Sequence, residues 1–427
     1  MLHRACSGFL IFLAVTLAAL LSPRAQTQLV YMHLLSVPRG FDWALDPTHP
    51  QVPPVWHLIP ARIALGGAGW VVCALSSDKE CNASSALGFK GFDLDAVVGF
   101  PGIPRTTRAT APPLPGQGAE GVPVWLTLPP VRAQPRCGIV FFHGNGDTRA
   151  SAYTVMRVTA LADVTGCAVA TFDYPGFAEY GTVPTPAGCV RSAAAVVTWL
   201  ARTVASAEQG EAHDGEEKAG ASIAIWAHSL GTAVAMSLTS GLGLPLMSGV
   251  ERGTFSNLVD TDGDGVVSED EVAAAEAAVE MREALAGRRI AALVLESPFA
   301  SIAGLVTKSP NGTEWPRLHA IVEGSLLAHE HTWRSIDRVK AARCGTRTLR
   351  ILHGDRDVIV PVSHAVALQE RFTAKGAEGP QATPACTMAE ALPALRRYSD
   401  AAHRDLFMQA GFDSELHWLR KQLRAYL

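Results

Sequence analysis

The chain has 427 residues, of which 48% are hydrophobic and 18% charged, with a formal net charge of −4. This length suits one large globular domain plus an additional N-terminal region. The slight negative balance and the lack of a basic cluster exclude a nucleic-acid footprint, and the 14 histidines are scattered without zinc spacing.

The first eight residues carry one basic side chain, Arg4, and an apolar run follows at 9–21. That run is short for a spanning helix, which needs about 20 residues, and right for a signal-peptide core. Ser22-Pro-Arg-Ala25 is a poor cleavage site, so residues 1–25 read as a signal peptide or an uncleaved signal anchor. Either places the rest of the chain in the secretory pathway, secreted or membrane-anchored, on the lumenal or extracellular side. The sequons at Asn82 and Asn311 agree with that, as glycosylation sites. Residues 26–121 form an N-terminal region rich in Pro, Gly and Trp. Its apolar stretch 64–75 either packs on the main domain or touches a membrane, and 112–121 reads as a linker. Apart from Cys6, seven cysteines remain, so at least one thiol is free. Cys73 and Cys81 are close enough to pair, whereas Cys137 and Cys167, at the starts of neighbouring strands, read as buried apolar thiols.

From 122 to 427 the pattern is that of an α/β fold with a mostly parallel sheet. Residues 122–128 start it as an early hairpin strand. The run 137–142 is an apolar strand, and His143-Gly-Asn-Gly146 is the loop after it. The strand from Ile223 ends at Ala227-His-Ser-Leu-Gly231, a sharp turn with Ser229 at its apex and a helix at 232–240 behind it. That is the G-x-S-x-G nucleophile elbow with its first glycine replaced by Ala227. A serine needs a base, and the base needs a carboxylate to fix its tautomer. Downstream, the strand 348–353 precedes Gly354-Asp-Arg-Asp357, and the strand 394–399 precedes a loop with His403. Ser229, Asp357 and His403 thus follow the α/β-hydrolase chain order. Asp355 competes with Asp357 and reads better as a turn cap. His364 is a rival base, on a helix that faces away from Ser229. The oxyanion hole is expected from the backbone N–H groups of Leu230 and Asn145.

Between the helix after Ser229 and the strand 290–295 lies an insertion at 248–288. Asp260-Thr-Asp-Gly-Asp-Gly-Val-Val-Ser-Glu-Asp-Glu271 fits the EF-hand loop. Asp260, Asp262 and Asp264, the Val266 carbonyl, Ser268 through water and a bidentate Glu271 are the expected Ca²⁺ ligands. A helix at 272–286 leaves the loop. The insertion should emerge away from Ser229, which points to a structural or partner role for calcium. Residues 208–220 are an acidic solvated loop, and 301–342, with Trp315, Leu318, Ile321, Leu326, Leu327 and Trp333, is where a lid would lie.

Five segments fall in one order: His143-Gly-Asn-Gly-Asp-Thr-Arg149, Val169-Ala-Thr-Phe-Asp-Tyr174 with Gly176, Ala227-His-Ser-Leu-Gly-Thr232, Leu295-Glu-Ser-Pro-Phe299 and Leu352-His-Gly-Asp-Arg-Asp357. From about Val122 onward the chain resembles the α/β-hydrolase-domain lipases that cleave monoacylglycerols and lysophosphatidylserine. It is also similar to Bem46-like serine hydrolases and to protein depalmitoylases. The resemblance implies Ser229 as nucleophile, Asp357 as acid, His403 as base, Asn145 and Leu230 as oxyanion donors, no cofactor for catalysis, and an acyl ester or thioester substrate. The chain departs from the pattern at Ala227 and at Phe177-Ala-Glu-Tyr180, which bears on substrate preference. A serine peptidase also stays open, since one triad serves several chemistries. The competing class is a non-catalytic calcium-binding or interaction protein on a hydrolase scaffold.

Overall fold

The computed structural model describes residues 105–115, 120–130, 135–177, 180, 184–209, 222–243, 267–307, 320, 322, 324, 333–373 and 394–425. Within them the chain builds an eight-stranded sheet: β1 Thr106–Ala111, β2 Val122–Thr127, β3 Cys137–Phe142, β4 Ala168–Phe172, β5 Ser222–His228, β6 Ile290–Glu296, β7 Thr346–Gly354 and β8 Ala394–Tyr398. The spatial order is β1-β2-β4-β3-β5-β6-β7-β8. β2 runs antiparallel to both of its neighbours, and every pairing from β4 to β8 is parallel.

Every residue of β3, β4, β5 and β6 is buried. Such continuous apolar runs are what a parallel sheet covered on both faces requires. Successive side chains then go to opposite faces. Val140, Phe142, Ile223, Ile225, Leu293 and Leu295 join one core with the helices α2 Pro186–Gln209, α3 Leu230–Gly243 and α4 Glu269–Ala284. Ile139, Phe141, Ala224, Trp226, Ala292 and Val294 join the other, under α1 Ala152–Thr165 and α8 Asp413–Arg424. The shorter helices α5 Ile302–Thr307, α6 Val339–Gly345 and α7 Ser363–Thr373 complete the α/β-hydrolase architecture.

Two features differ from the sequence reading. The sheet begins at Thr106 rather than at Val122: β1 lies against β2 with Thr106 opposite Thr127 and Ala111 opposite Val122. Its sequence, TTRATA, is polar because it is an edge strand with only its two end residues buried, so it carries none of the apolar alternation that marks a strand. Cys137 and Cys167 are not thiols but a disulfide, with Cα atoms 4.8 Å apart. Gly138 pairs with Ala168 in the parallel register, so the residues just before them stand side by side. Cys344 is also disulfide-bonded. Cys189 is free and buried, and burial pushes its thiol up.

α4 is the helix expected to leave the EF-hand loop. Glu271 caps it, accepting the Ser268 backbone N–H at 3.0 Å. Asp270 is buried in a polar knot with Ser237 of α3, at 3.1 Å, and Arg338, at 2.5 Å. Arg282 of α4 donates to the Leu242 carbonyl at 3.0 Å, satisfying an orphan acceptor at the end of α3. Among the described residues no helix is long and apolar enough to cross a membrane. The apolar run 9–21, the N-terminal stretch 26–104, the sequons at Asn82 and Asn311, Cys73, Cys81 and the acidic loop at 210–220 lie outside the described residues.

Candidate active site

The parallel register aligns the carboxyl ends of the strands. Ala227 pairs with both Phe142 and Leu295, His228 with Glu296, and Gly354 with Tyr398. Loops that leave these ends share one edge of the sheet, where open α/β sheets bind ligands.

Ser229 follows β5 directly and has φ 51, the left-handed region that a non-glycine residue rarely adopts. Its neighbours over-determine that conformation. The Ser229 N–H donates to Glu296 O at 2.9 Å, and the Ser229 carbonyl accepts from Thr232 N at 2.9 Å and Thr232 Oγ1 at 2.6 Å. Space is equally constrained: a Cβ at Gly231 would lie 2.5 Å from Phe142 O. The side chain of Glu296 is fully buried and holds the elbow from below. It accepts from Trp226 Nε1 at 3.0 Å, Arg157 Nε at 3.1 Å and Tyr153 Oη at 3.2 Å.

Ser229, His403 and Asp357 meet. Ser229 Oγ is 3.0 Å from His403 Nε2, and His403 Nδ1 is 2.7 Å from Asp357 Oδ2. The second carboxylate oxygen, Oδ1, accepts the backbone N–H groups of Ile359 at 3.0 Å and Val360 at 2.8 Å. Burial alone would raise the Asp357 carboxyl, but the His403 hydrogen bond and the Val360 N–H hold it below the ordinary carboxylate range. Of the two competing carboxylates, Asp357 is the one brought to His403. Asp355 pairs with Arg397 at 2.7 Å at the sheet edge. His364 is buried on α7, where its Nδ1 accepts the Ala300 N–H at 3.2 Å.

The loop His143–Gly146 packs against the elbow, and several bonds pin it. Tyr174 Oη donates to His143 O at 3.0 Å, and the Arg149 N–H donates to Asp173 Oδ1 at 2.8 Å. The Arg149 side chain pairs with the same buried Asp173. Burial alone would raise the Asp173 carboxyl, but Arg149 and His143 outweigh it and hold the group low. Arg404, next to His403, reaches Asp147 at 3.1 Å and ties the two loops together. Leu230 begins α3, so its N–H lies at the positive end of a helix.

Two further histidines line the triad, both inside recognised motifs but with no role expected from the sequence. His353 Nε2 bonds Val360 O at 2.8 Å and lies 3.5 Å from Asp357 Oδ2. His228 Nε2 bonds His403 O at 3.0 Å. Each stands at the buried carboxyl end of a strand, His228 directly before Ser229 and His353 four residues before Asp357, and that position was the available signal. Of the EF-hand ligands, Asp260, Asp262, Asp264 and Val266 lie outside the described residues, and only Ser268 and Glu271 are described. Of the residues named for a lid, only Trp333 is described, and it is buried.

The model of the alpha/beta hydrolase family matches residues 139–418. Lysophosphatidylserine lipase ABHD12 of Danio rerio is 25% identical over 231 residues, which are 52% of this chain and 44% of that protein. Protein ABHD12B of Homo sapiens is 28% identical over 154 residues, 32% of this chain and 38% of its own. The chain thus spans less than half the length of these relatives. The solved structure of Est1E from Butyrivibrio proteoclasticus covers 74% of this chain and 99% of its own, at 14% identity and a TM-score of 0.41. With the family match running from β3 into α8, this chain belongs to the alpha/beta hydrolase family.

Proposed function

We propose that this protein is a serine ester hydrolase that cleaves a lipid ester of the monoacylglycerol or lysophospholipid kind. The observation that carries the reading is the unbroken hydrogen-bond chain from Asp357 through His403 to Ser229, with Ser229 at a left-handed elbow. In this reading His403 Nε2 takes the proton of Ser229 as its Oγ attacks the ester carbonyl. The backbone N–H groups of Leu230 and Asn145 receive the oxyanion, each worth roughly 10²–10³ in rate. His403 then returns the proton to the leaving alcohol, an acyl-Ser229 remains, and water activated by His403 releases the acid. Asp357 keeps the proton on Nδ1 and stabilises the imidazolium. The lipid preference rests on the lysophosphatidylserine lipase among the relatives.

We further propose that Asp260, Asp262, Asp264, the Val266 carbonyl, Ser268 and Glu271 hold one Ca²⁺. The oxygen-only donor set suits that ion, and Glu271 sits in the first turn of α4 with its carboxylate turned back toward Ser268. Bound calcium would supply stability there and takes no part in the chemistry. The test is labelling of the full chain by a fluorophosphonate, wild type beside Ser229→Ala, followed by hydrolysis of lysophosphatidylserine and monoacylglycerol. Labelling lost in Ser229→Ala with turnover of either lipid supports the reading. A folded wild type that neither labels nor hydrolyses any ester sinks it.

A further inference from the structure

We infer that His228, the residue before Ser229, is a positioning residue that anchors the backbone of His403 and so aims its imidazole at Ser229. This rests on the proposed reading of Ser229 and His403. His228 is 1% exposed, its Nε2 lies 3.0 Å from the His403 carbonyl, and the two rings are 4.9 Å apart. A carbonyl only accepts, so Nε2 carries the proton and donates it. The other face of the ring sits against the opposite loop: a Cβ on Gly144 would lie 2.6 Å from His228 Nδ1. Burial, with His403 and Arg157 nearby, holds His228 well below the ordinary histidine range, so the ring stays neutral. Tyr153, at 5.1 Å between ring centroids, and Arg404 complete its titratable and charged surroundings.

The geometry gives this contact a task that Asp357 cannot perform. Asp357 holds Nδ1 of His403 and sets the direction of the ring, but where the ring stands also depends on the main chain that carries it. Fixing the His403 carbonyl sets the place of that main chain, and so the point from which the imidazole reaches Ser229. The donor is mounted on the same strand end as Ser229, so one side chain ties the nucleophile to the backbone of its base. A displacement of about 1 Å at a reacting centre can cost on the order of 10²-fold in rate.

The experiment compares the full-length wild type with His228→Phe, which keeps a ring and lacks the donor, and His228→Gln, which keeps an N–H. Hydrolysis of p-nitrophenyl butyrate is followed across pH, alongside melting temperature. His228→Phe should lower kcat by about 10²-fold with KM within about twofold, and His228→Gln should recover most of that loss. If His228→Phe does not fold, His228→Met takes its place as a flexible apolar filler. A folded donor-less variant with kcat within about threefold of wild type overturns the inference, as does a His228→Gln that loses as much as His228→Phe. A wild type inert to both the ester and a fluorophosphonate overturns the serine-hydrolase reading and the His228 role with it. An active wild type with an equally active donor-less variant overturns the His228 role alone.

Discussion

Asp357→Asn is the sharpest test of the site, because the two carboxylate oxygens have different jobs. Oδ1 accepts two backbone N–H groups, at 3.0 and 2.8 Å, and Oδ2 faces His403 Nδ1 at 2.7 Å. Asparagine has one oxygen for both. With that oxygen on the loop side, its NH₂ meets Nδ1 of His403, which must then be bare. The proton moves to Nε2, 3.0 Å from Ser229 Oγ, and the base can no longer take a proton from serine. The flipped amide restores the tautomer but points NH₂ at the Ile359 and Val360 N–H groups. That forfeits two hydrogen bonds of about 1 kcal/mol each, leaving roughly 3% of molecules competent, a loss of about 30-fold. Loss of the negative charge beside the developing imidazolium takes the rest of a total near 10⁴ in kcat, about 5.5 kcal/mol of barrier. The assay is kcat for p-nitrophenyl butyrate beside the rate of fluorophosphonate labelling, with the melting temperature as a control for folding. A folded Asp357→Asn that keeps more than about a tenth of wild-type kcat would show that Asp357 does not set the His403 tautomer.

Three other outcomes are expected. The Cys137–Cys167 bridge closes a loop with a sequence separation of 30, so chain entropy assigns it about 3.6 kcal/mol at 25 °C; the Cys137→Ala, Cys167→Ala double variant should lose stability of that order in urea unfolding, and a loss below about 1 kcal/mol would contradict it. Glu271→Gln should keep the cap on Ser268, since glutamine also serves in a capping box, yet lose bidentate calcium binding. Its melting temperature should match wild type in chelator and fall below it in calcium, and equal values in calcium would remove the calcium proposal. Asp173 has a folded pKa below its unfolded value near 3.9, so its stabilising contribution is present above about pH 4 and is lost as pH falls through the folded pKa. The melting-temperature deficit of Asp173→Asn should therefore be largest near pH 7 and shrink toward pH 3; a deficit independent of pH counts against the charged pair with Arg149.

What could be read in the sequence was whatever depends on local chemistry. The elbow needs a small residue two positions before and two positions after the serine, so Ala227-His-Ser-Leu-Gly231 announces itself, and Ser229 does stand at φ 51. The buried strands are recognisable because both faces are covered, which keeps β3, β5 and β6 apolar except at their ends, Ser222, His228 and Glu296. β1 was not legible, because an edge strand with exposed Thr and Arg resembles a linker. The disulfide was hidden for a different reason. A cysteine at the start of an apolar strand looks the same oxidised or reduced, and only the parallel register of β3 and β4 puts Cys137 beside Cys167. His228, His353 and Glu296 stood inside recognised motifs. Their partners are 175, 7 and, for Arg157, 139 residues away, and two of these three separations are beyond any local pattern.

Helix α3 explains why calcium should affect stability without reaching the chemistry. α3 has 14 residues, about 20 Å at 1.5 Å per residue, and Ser229 stands just before its first residue. Its N-terminal end is clamped by the sheet, through the contact of Gly231 with Phe142 O and the bond from Ser229 N–H to Glu296 O. The contacts from α4 fall farther along: Asp270 on Ser237, and Arg282 on the carbonyls of Gly241 and Leu242. Loosening the first turn of α4 would release the Asp270–Arg338–Ser237 knot and weaken the far half of α3, while the elbow keeps its own bonds. Glu271→Gln should accordingly lower the melting temperature in calcium and leave the labelling rate of Ser229 within about twofold of wild type, since a group that only shifts the folding equilibrium changes the folded fraction, not the reactivity of each folded molecule. A labelling rate that falls together with the melting temperature, measured well below the transition, would show that the helix transmits the loss to the elbow.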